Sequence, residues 1–275
     1  MQMTSLRMLS VLLALTSSLA SFGVSAVPFF WTDWVSASTP PGGGFRAHGT
    51  ITTTTSTVDV TYTNASGVGF YNTGAAGEED YWTNGVFSNT RNPATSPYTG
   101  ALVDNIPTGT DLIALRFAGN QTLEFSVAIA NPVFAFVSLN RNGYSFLNQD
   151  FDILSLGGED GNDCGYWGCG GISKVVVNLG NGNFEYQLNS NNVGGTEPHG
   201  AIRFKGGFDT LTWRSSSNEF WNGFTVGVQG TAAELPCEVN PSLPECSPGQ
   251  VPEPATLGLL GLGLVGLWFS RRRLV

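Results

Sequence analysis

The sequence predicts an all-β protein with one β-sandwich or jelly-roll-like domain over residues 27–233, and three observations carry that prediction. About nine or ten short apolar or alternating segments follow one another, with turn signals every 8–12 residues or so. Glycine occupies 36 positions and lysine only two, Lys174 and Lys205, beside many Thr and Asn, a composition that favours strands and turns over helices. No segment of the body has the sustained 3.6-residue period of a helix, so alternating βαβ units are excluded.

The first 26 residues read as a signal peptide. Arg7 is the one charge before Asp33, Met8 to Ala20 form an apolar stretch, and Val24-Ser25-Ala26 offers small residues to signal peptidase. Residues 27–45 then bring Phe29, Phe30, Trp31 and Trp34, expected as a first strand on the core, before Pro40-Pro41-Gly42-Gly43-Gly44 breaks it. From Gly49 to Thr63 the chain reads as strand, with Val58, Val60 and Tyr62 on one face and threonines on the other. Residues 64–109 are irregular and longer than a compact domain usually tolerates as a loop, so they are either a functional loop or illegible strands.

Strand signals are dense afterwards, at 111–117, 122–130, 133–139 and 151–156. A hairpin is expected from 173–179 and 184–188 across Gly180-Asn181-Gly182-Asn183. Segments 201–205, 208–214 and 223–229 complete the set.

Four cysteines pair by proximity, Cys164 with Cys169 and Cys237 with Cys246, although four cysteines allow three pairings. In an exported chain an even count reads as disulfides. Closing rings of 6 and 10 residues contributes about 2 and nearly 3 kcal/mol by the chain-entropy estimate. Zinc is disfavoured because the intervals are not Cys-x2-Cys and only His48 and His199 would assist. The second ring falls in a Pro-rich linker, residues 234–250.

Catalytic motifs are missing. There is no Gly-x-Ser-x-Gly and no His-Glu-x-x-His, His199 follows Glu197-Pro198 as a turn histidine does, and no glycine loop leads into the Lys-Ser/Thr of a phosphate cradle. Glycoside hydrolysis needs only two carboxylates, for which Glu78, Glu79, Asp80, Glu159, Asp160 and Asp163 are available, and is carried as a second alternative. The protein is expected not to be an enzyme. Glu159, Asp160, Asn162 and Asp163 offer oxygens to Ca²⁺, without the EF-hand pattern, so a solvated loop is the favoured reading and no cofactor is expected. Tyr166 and Trp167, inside the Cys164–Cys169 ring and beside these acids and carboxamides, form a candidate sugar-stacking platform.

The last 25 residues carry the address. Pro252-Glu253-Pro254 stays extended, an apolar run follows from Ala255 to Phe269, and Arg271-Arg272-Arg273 end it. Fifteen residues make about 22 Å of helix, a short span for a hydrocarbon core of about 30 Å, expected over 255–270. Trp268 and Phe269 beside the arginines place the C-terminus inside.

This tail resembles the PEP-CTERM sorting signal of Gram-negative, exopolysaccharide-producing bacteria, over residues 251–275. The resemblance implies recognition by a membrane enzyme, exosortase, which cuts near the motif and sends the protein to the cell surface. The stretches 131–139, 208–213 and 219–227 also look like bodies found ahead of this signal, which implies a shared β fold and no catalytic residue. A structural or exopolysaccharide-associated role is therefore expected, with a glycan-binding module as the first alternative. Without Arg7 and the three terminal arginines, eight basic residues face 21 acidic ones between 27 and 254, a net of −13 that repels nucleic acid.

Overall fold

The computed structural model describes residues 28–191 and 197–246. The signal peptide, the expected span at 255–270, Pro252–Pro254 and Arg271–Arg273 lie outside the described residues. Among the described residues no helix is long and apolar enough to cross a membrane.

Among the described residues, fifteen strands form two antiparallel sheets: β1 (Phe30–Trp31), β2 (Asp33–Ser38), β3 (Phe45–Thr52), β4 (Thr57–Asn64), β5 (Phe70–Asn72), β6 (Leu112–Leu115), β7 (Gly119–Ala130), β8 (Val133–Val137), β9 (Gly143–Leu147), β10 (Phe151–Leu156), β11 (Ile172–Gly180), β12 (Asn183–Ser190), β13 (Gly200–Phe204), β14 (Gly207–Ser215) and β15 (Asn222–Val228). One sheet has the order β10-β13-β8-β15-β6-β5 with β1 also on β15; the other runs β11-β12-β9-β14-β7-β4-β3-β2. This is the expected β-sandwich, with more strands than the nine or ten read from the sequence.

The aromatic start divides between the sheets. Trp31 pairs with Gly227 on β15, Thr32 turns the corner by donating to the Val226 carbonyl at 2.9 Å, and Trp34 pairs with Gly49 on β3. Phe29, Trp31 and Trp34 are buried, as expected of core residues. The single strand expected over 49–63 is instead a hairpin of β3 and β4. Thr53 N–H bonds the Ser56 carbonyl at 2.8 Å, which closes a turn inside an unbroken threonine run that periodicity could not divide. Across β11 and β12 the expected hairpin forms, with Asn181 and Gly182 both at positive φ, as a two-residue primed turn requires.

Alternation explains the main core. Val58, Val60 and Tyr62 face inward from β4 and meet Phe134, Phe136, Phe224 and Val226 from the opposite sheet. Phe134 stacks on Phe224 at 4.8 Å between centroids, and Trp213 meets both edge-on at 5.5 and 5.3 Å. Tyr62 donates its hydroxyl to the Gln121 side chain, satisfying the polar end of a ring that is otherwise sealed.

β6, β8 and β15 are buried along their whole length, which alternation alone would not predict. The cause is the irregular segment. Apart from β5, residues 65–111 fold as loops over the outer face of the smaller sheet, and Trp82, Tyr98, Val103 and Ile106 pack there on Leu112, Ala114, Val133 and Ala135. Trp82 Nε1–H donates to the Asp111 carbonyl at 3.0 Å, and an Asp111 carboxylate oxygen accepts from Trp34 N–H at 2.7 Å. Arg91 ties the cover together, pairing with Asp80 at 2.7 Å and donating to the Gly109 carbonyl at 3.0 Å.

Both disulfides form between the neighbouring cysteines, Cys164–Cys169 and Cys237–Cys246, with Cα–Cα distances of 4.7 and 5.3 Å. The segment read as a linker is tied to the sandwich at its start. Glu234 accepts from Thr53 Oγ1 at 2.8 Å, Ser56 Oγ at 2.9 Å and Thr231 N–H at 2.7 Å, and Glu238 pairs with Arg203 at 3.2 Å. Burial alone would raise the Glu234 carboxyl, but these donors together with Thr55 hold it near about 2.

Candidate functional site

A cleft of about 340 Å³ opens where four segments meet: residues 138–141 after β8, the Cys164–Cys169 ring, Glu197 ahead of β13, and 218–221 ahead of β15. Trp167 lies on its wall beside Glu197, Glu219 and Trp221.

Each loop is fixed by identifiable bonds. Asn142 donates to Ser215 Oγ at 2.9 Å and accepts from the backbone of Ser216 and Ser217 at 3.1 and 3.0 Å, which ties the loop after β14 to the one before β9. Glu219 N–H reaches the Arg116 carbonyl at 3.1 Å, and Asn218 Oδ1 accepts from Ala118 N–H at 2.8 Å. Ser138 and Arg141 both adopt positive φ, 60° and 50°, a conformation that L-residues enter at a cost and that gathers at binding sites.

The Cys164–Cys169 ring rests on His199. A Cβ on Gly165 would come within 2.2 Å of the imidazole, so only glycine allows that approach. Trp167 N–H donates to His199 Nε2 at 3.2 Å, so the proton sits on Nδ1, which faces the Tyr98 hydroxyl at 3.2 Å; that hydroxyl in turn donates to the Tyr81 carbonyl at 3.3 Å. Burial lowers the imidazole to about 3 and keeps it neutral. His199 is therefore a support for the ring, more deeply placed than the turn residue read from the sequence.

The ring's two aromatics meet edge-on at 5.1 Å and take different partners. Trp167 faces the cleft and meets Phe87 edge-on at 4.9 Å. Tyr166 donates to Glu79 Oε1 at 2.7 Å and packs on Tyr81 at 5.1 Å, and it is not on the lining of this cleft. Burial raises the Tyr166 phenol to about 12, helped by Glu79. Phe220, 85% exposed, stands on the cleft rim.

Two carboxylates that sequence reasoning did not single out complete the site. Glu197 accepts from Ser138 Oγ and, at 3.2 Å, from Asn140 Nδ2; burial nevertheless pushes its carboxyl upward. Burial pushes Glu219 to about 8, with the Glu197 charge adding to the rise. Glu219 Oε2, Asn222 Nδ2 and Trp167 Nε1 are buried without a hydrogen-bond partner. The signal available in the sequence was Glu219-Phe220-Trp221, an acid and two aromatics between a serine-rich turn and a strand.

The acids that were singled out lie elsewhere. Glu78 accepts from Thr73 and Ala75 N–H at 3.0 Å and from Thr110 Oγ1 at 2.7 Å, closing its own loop. Asp163 accepts from Thr95 Oγ1 at 2.6 Å and Asn84 Nδ2 at 3.1 Å, and Asn162 Nδ2 donates to the Leu156 carbonyl at 3.3 Å. Asp160 and Asn162 border a separate cavity of about 670 Å³ beside Pro93 and Val103, with no aromatic ring on its lining among the described residues. Glu159 stays at the exposed loop tip, and among the described residues no three His, Cys, Asp or Glu side chains gather as metal ligands.

The fold and the tail together define a class: an exported β-sandwich protein with a C-terminal sorting address. The model of the PEP-CTERM protein-sorting motif matches residues 250–273. The chain thus carries that motif, which implies export and exosortase-mediated sorting to the cell surface. No curated protein and no solved structure matches the chain.

Proposed function

We propose that the sorted β-sandwich associates with the cell's exopolysaccharide by binding glycan chains in the Trp167 cleft, without catalysing a reaction. The observation that carries this reading is the combination on one lining: an indole held by a disulfide ring, exposed Phe220, and the side chains of Asn140, Asn218, Glu197 and Glu219. Sugars are bound by aromatic faces against their apolar C–H surfaces and by carboxamides and carboxylates at their hydroxyls. Retention on a column of polysaccharide from the producing cells tests it. Loss of retention in Trp167→Ala and Phe220→Ala, with unchanged folding, is the expected result, and retention equal to wild type refutes the cleft as the binding site.

Glu197 and Glu219 in one cleft support a second reading, a glycoside hydrolase with Glu219 as the protonated acid. Release of oligosaccharides from the same polysaccharide, abolished in Glu219→Gln, would favour it over binding alone.

A further inference from the structure

Among the described residues, the cleft lining holds two carboxyl groups and no cation paired with either. Glu197 and Glu219 share its lining, and among the described residues neither takes part in an ion pair; the five that form lie elsewhere. Arg141 is the one basic side chain on that lining among the described residues, and it is exposed and pairs with neither carboxylate. Glu219 Oε2 is buried with no donor to meet it.

Aromatic rings share the lining with these acids. Trp167 and Trp221 line the same cleft, and Phe220 stands at its rim. Ring faces attract cations, most strongly where water is excluded, and a carboxylate beside them strengthens the attraction. An ammonium brings three donors and no acceptor, which is what an unpartnered carboxylate oxygen lacks. A neutral sugar would satisfy hydrogen bonds but bring no cation, while a uronic acid would bring a further anion.

We propose that the cleft selects sugars carrying a free, protonated amine, as in hexosamine units without the N-acetyl group. This rests on the glycan-binding reading. The upward shifts of both carboxyls follow from burial without a counter-charge, and a bound ammonium reverses them, so binding releases a proton from Glu219 near neutral pH.

Titration calorimetry of the purified full chain with glucosamine oligomers and with N-acetylglucosamine oligomers of equal length tests the assignment. The amine oligomers are expected to bind tighter by about tenfold or more. Glu219→Gln, which keeps shape and removes the charge, should bring the two affinities together while the melting temperature does not fall. Phe220→Ala, an exposed position, should weaken both alike. Equal affinities in the wild type, or tighter binding of the acetylated oligomer, overturn the amine selectivity and leave glycan binding standing. Binding of neither also overturns it, and retention on whole exopolysaccharide then decides the glycan reading separately.

Discussion

The backbone N–H of Trp167 donates to Nε2 of the fully buried His199 across 3.2 Å, so a neutral imidazole holds the aromatic wall of the cleft. Replacing it, His199→Ala, empties space under the ring and leaves the Trp167 N–H without its acceptor. A loss of about 2–4 kcal/mol in urea unfolding is expected, together with weaker glycan retention. Because the folded imidazole titrates near about 3 and the unfolded one near 6.5, the unfolded chain binds the extra proton first. This contribution is full above pH 6.5 and is lost as pH falls toward about 3, at about 1.4 kcal/mol per pH unit within that window.

Glu219 has the opposite sign. Its folded carboxyl is raised from 4.5 to about 8, so the native state holds the proton more tightly and the group's contribution is present at low pH and lost as pH rises through that range. The titratable groups that bear on it are Glu197 and the buried Tyr144. Glu219→Gln removes the titration. The variant should melt higher than wild type, by a margin that grows from acid to mildly alkaline pH in calorimetric scans.

Trp82 anchors the loop cover on the smaller sheet. Trp82→Ala removes a fully buried indole and its bond to the Asp111 carbonyl, and should cost about 3–5 kcal/mol in denaturant unfolding. Proteolysis should then cut first between residues 73 and 111, which lie over that face.

Opening the six-residue ring with Cys164→Ser and Cys169→Ser together should cost about 2 kcal/mol of stability by the chain-entropy estimate. Glycan affinity should fall as well, since Trp167 is carried by that ring. Cys237→Ser with Cys246→Ser should leave affinity unchanged, because that ring contributes nothing to the cleft lining among the described residues.

The sorting motif predicts processing. Peptide mapping of the C-terminus from the surface fraction should end near Val251–Pro254 only in cells that contain exosortase, whereas a tail retained in both strains would make the chain a plain anchored domain.

Much of the fold could be read because β10 to β15 alternate or run apolar between Gly and Asn turns. β9 (Gly143–Leu147) escaped because Asn142-Gly143 at its start reads as turn, and it pairs only with distant β12 and β14. The loop cover escaped for a different reason: Trp82, Tyr98, Val103 and Ile106 are core residues with no period, buried by the sheet they cover. In the site, Trp167 was legible from its ring, but Glu197 and Glu219 meet it only through the folded chain. Among 21 acidic residues, nothing local distinguishes a buried carboxylate from a solvated one.

The most direct measurement is the indole N–H spectrum of nitrogen-labelled protein during addition of solubilised exopolysaccharide. Glycan binding in the cleft predicts that the resonances of Trp167 and Trp221 move, while those of Trp34, Trp82 and Trp213, sealed in the two cores, stay in place. A spectrum in which Trp167 and Trp221 do not respond, although the polysaccharide is bound, would contradict it.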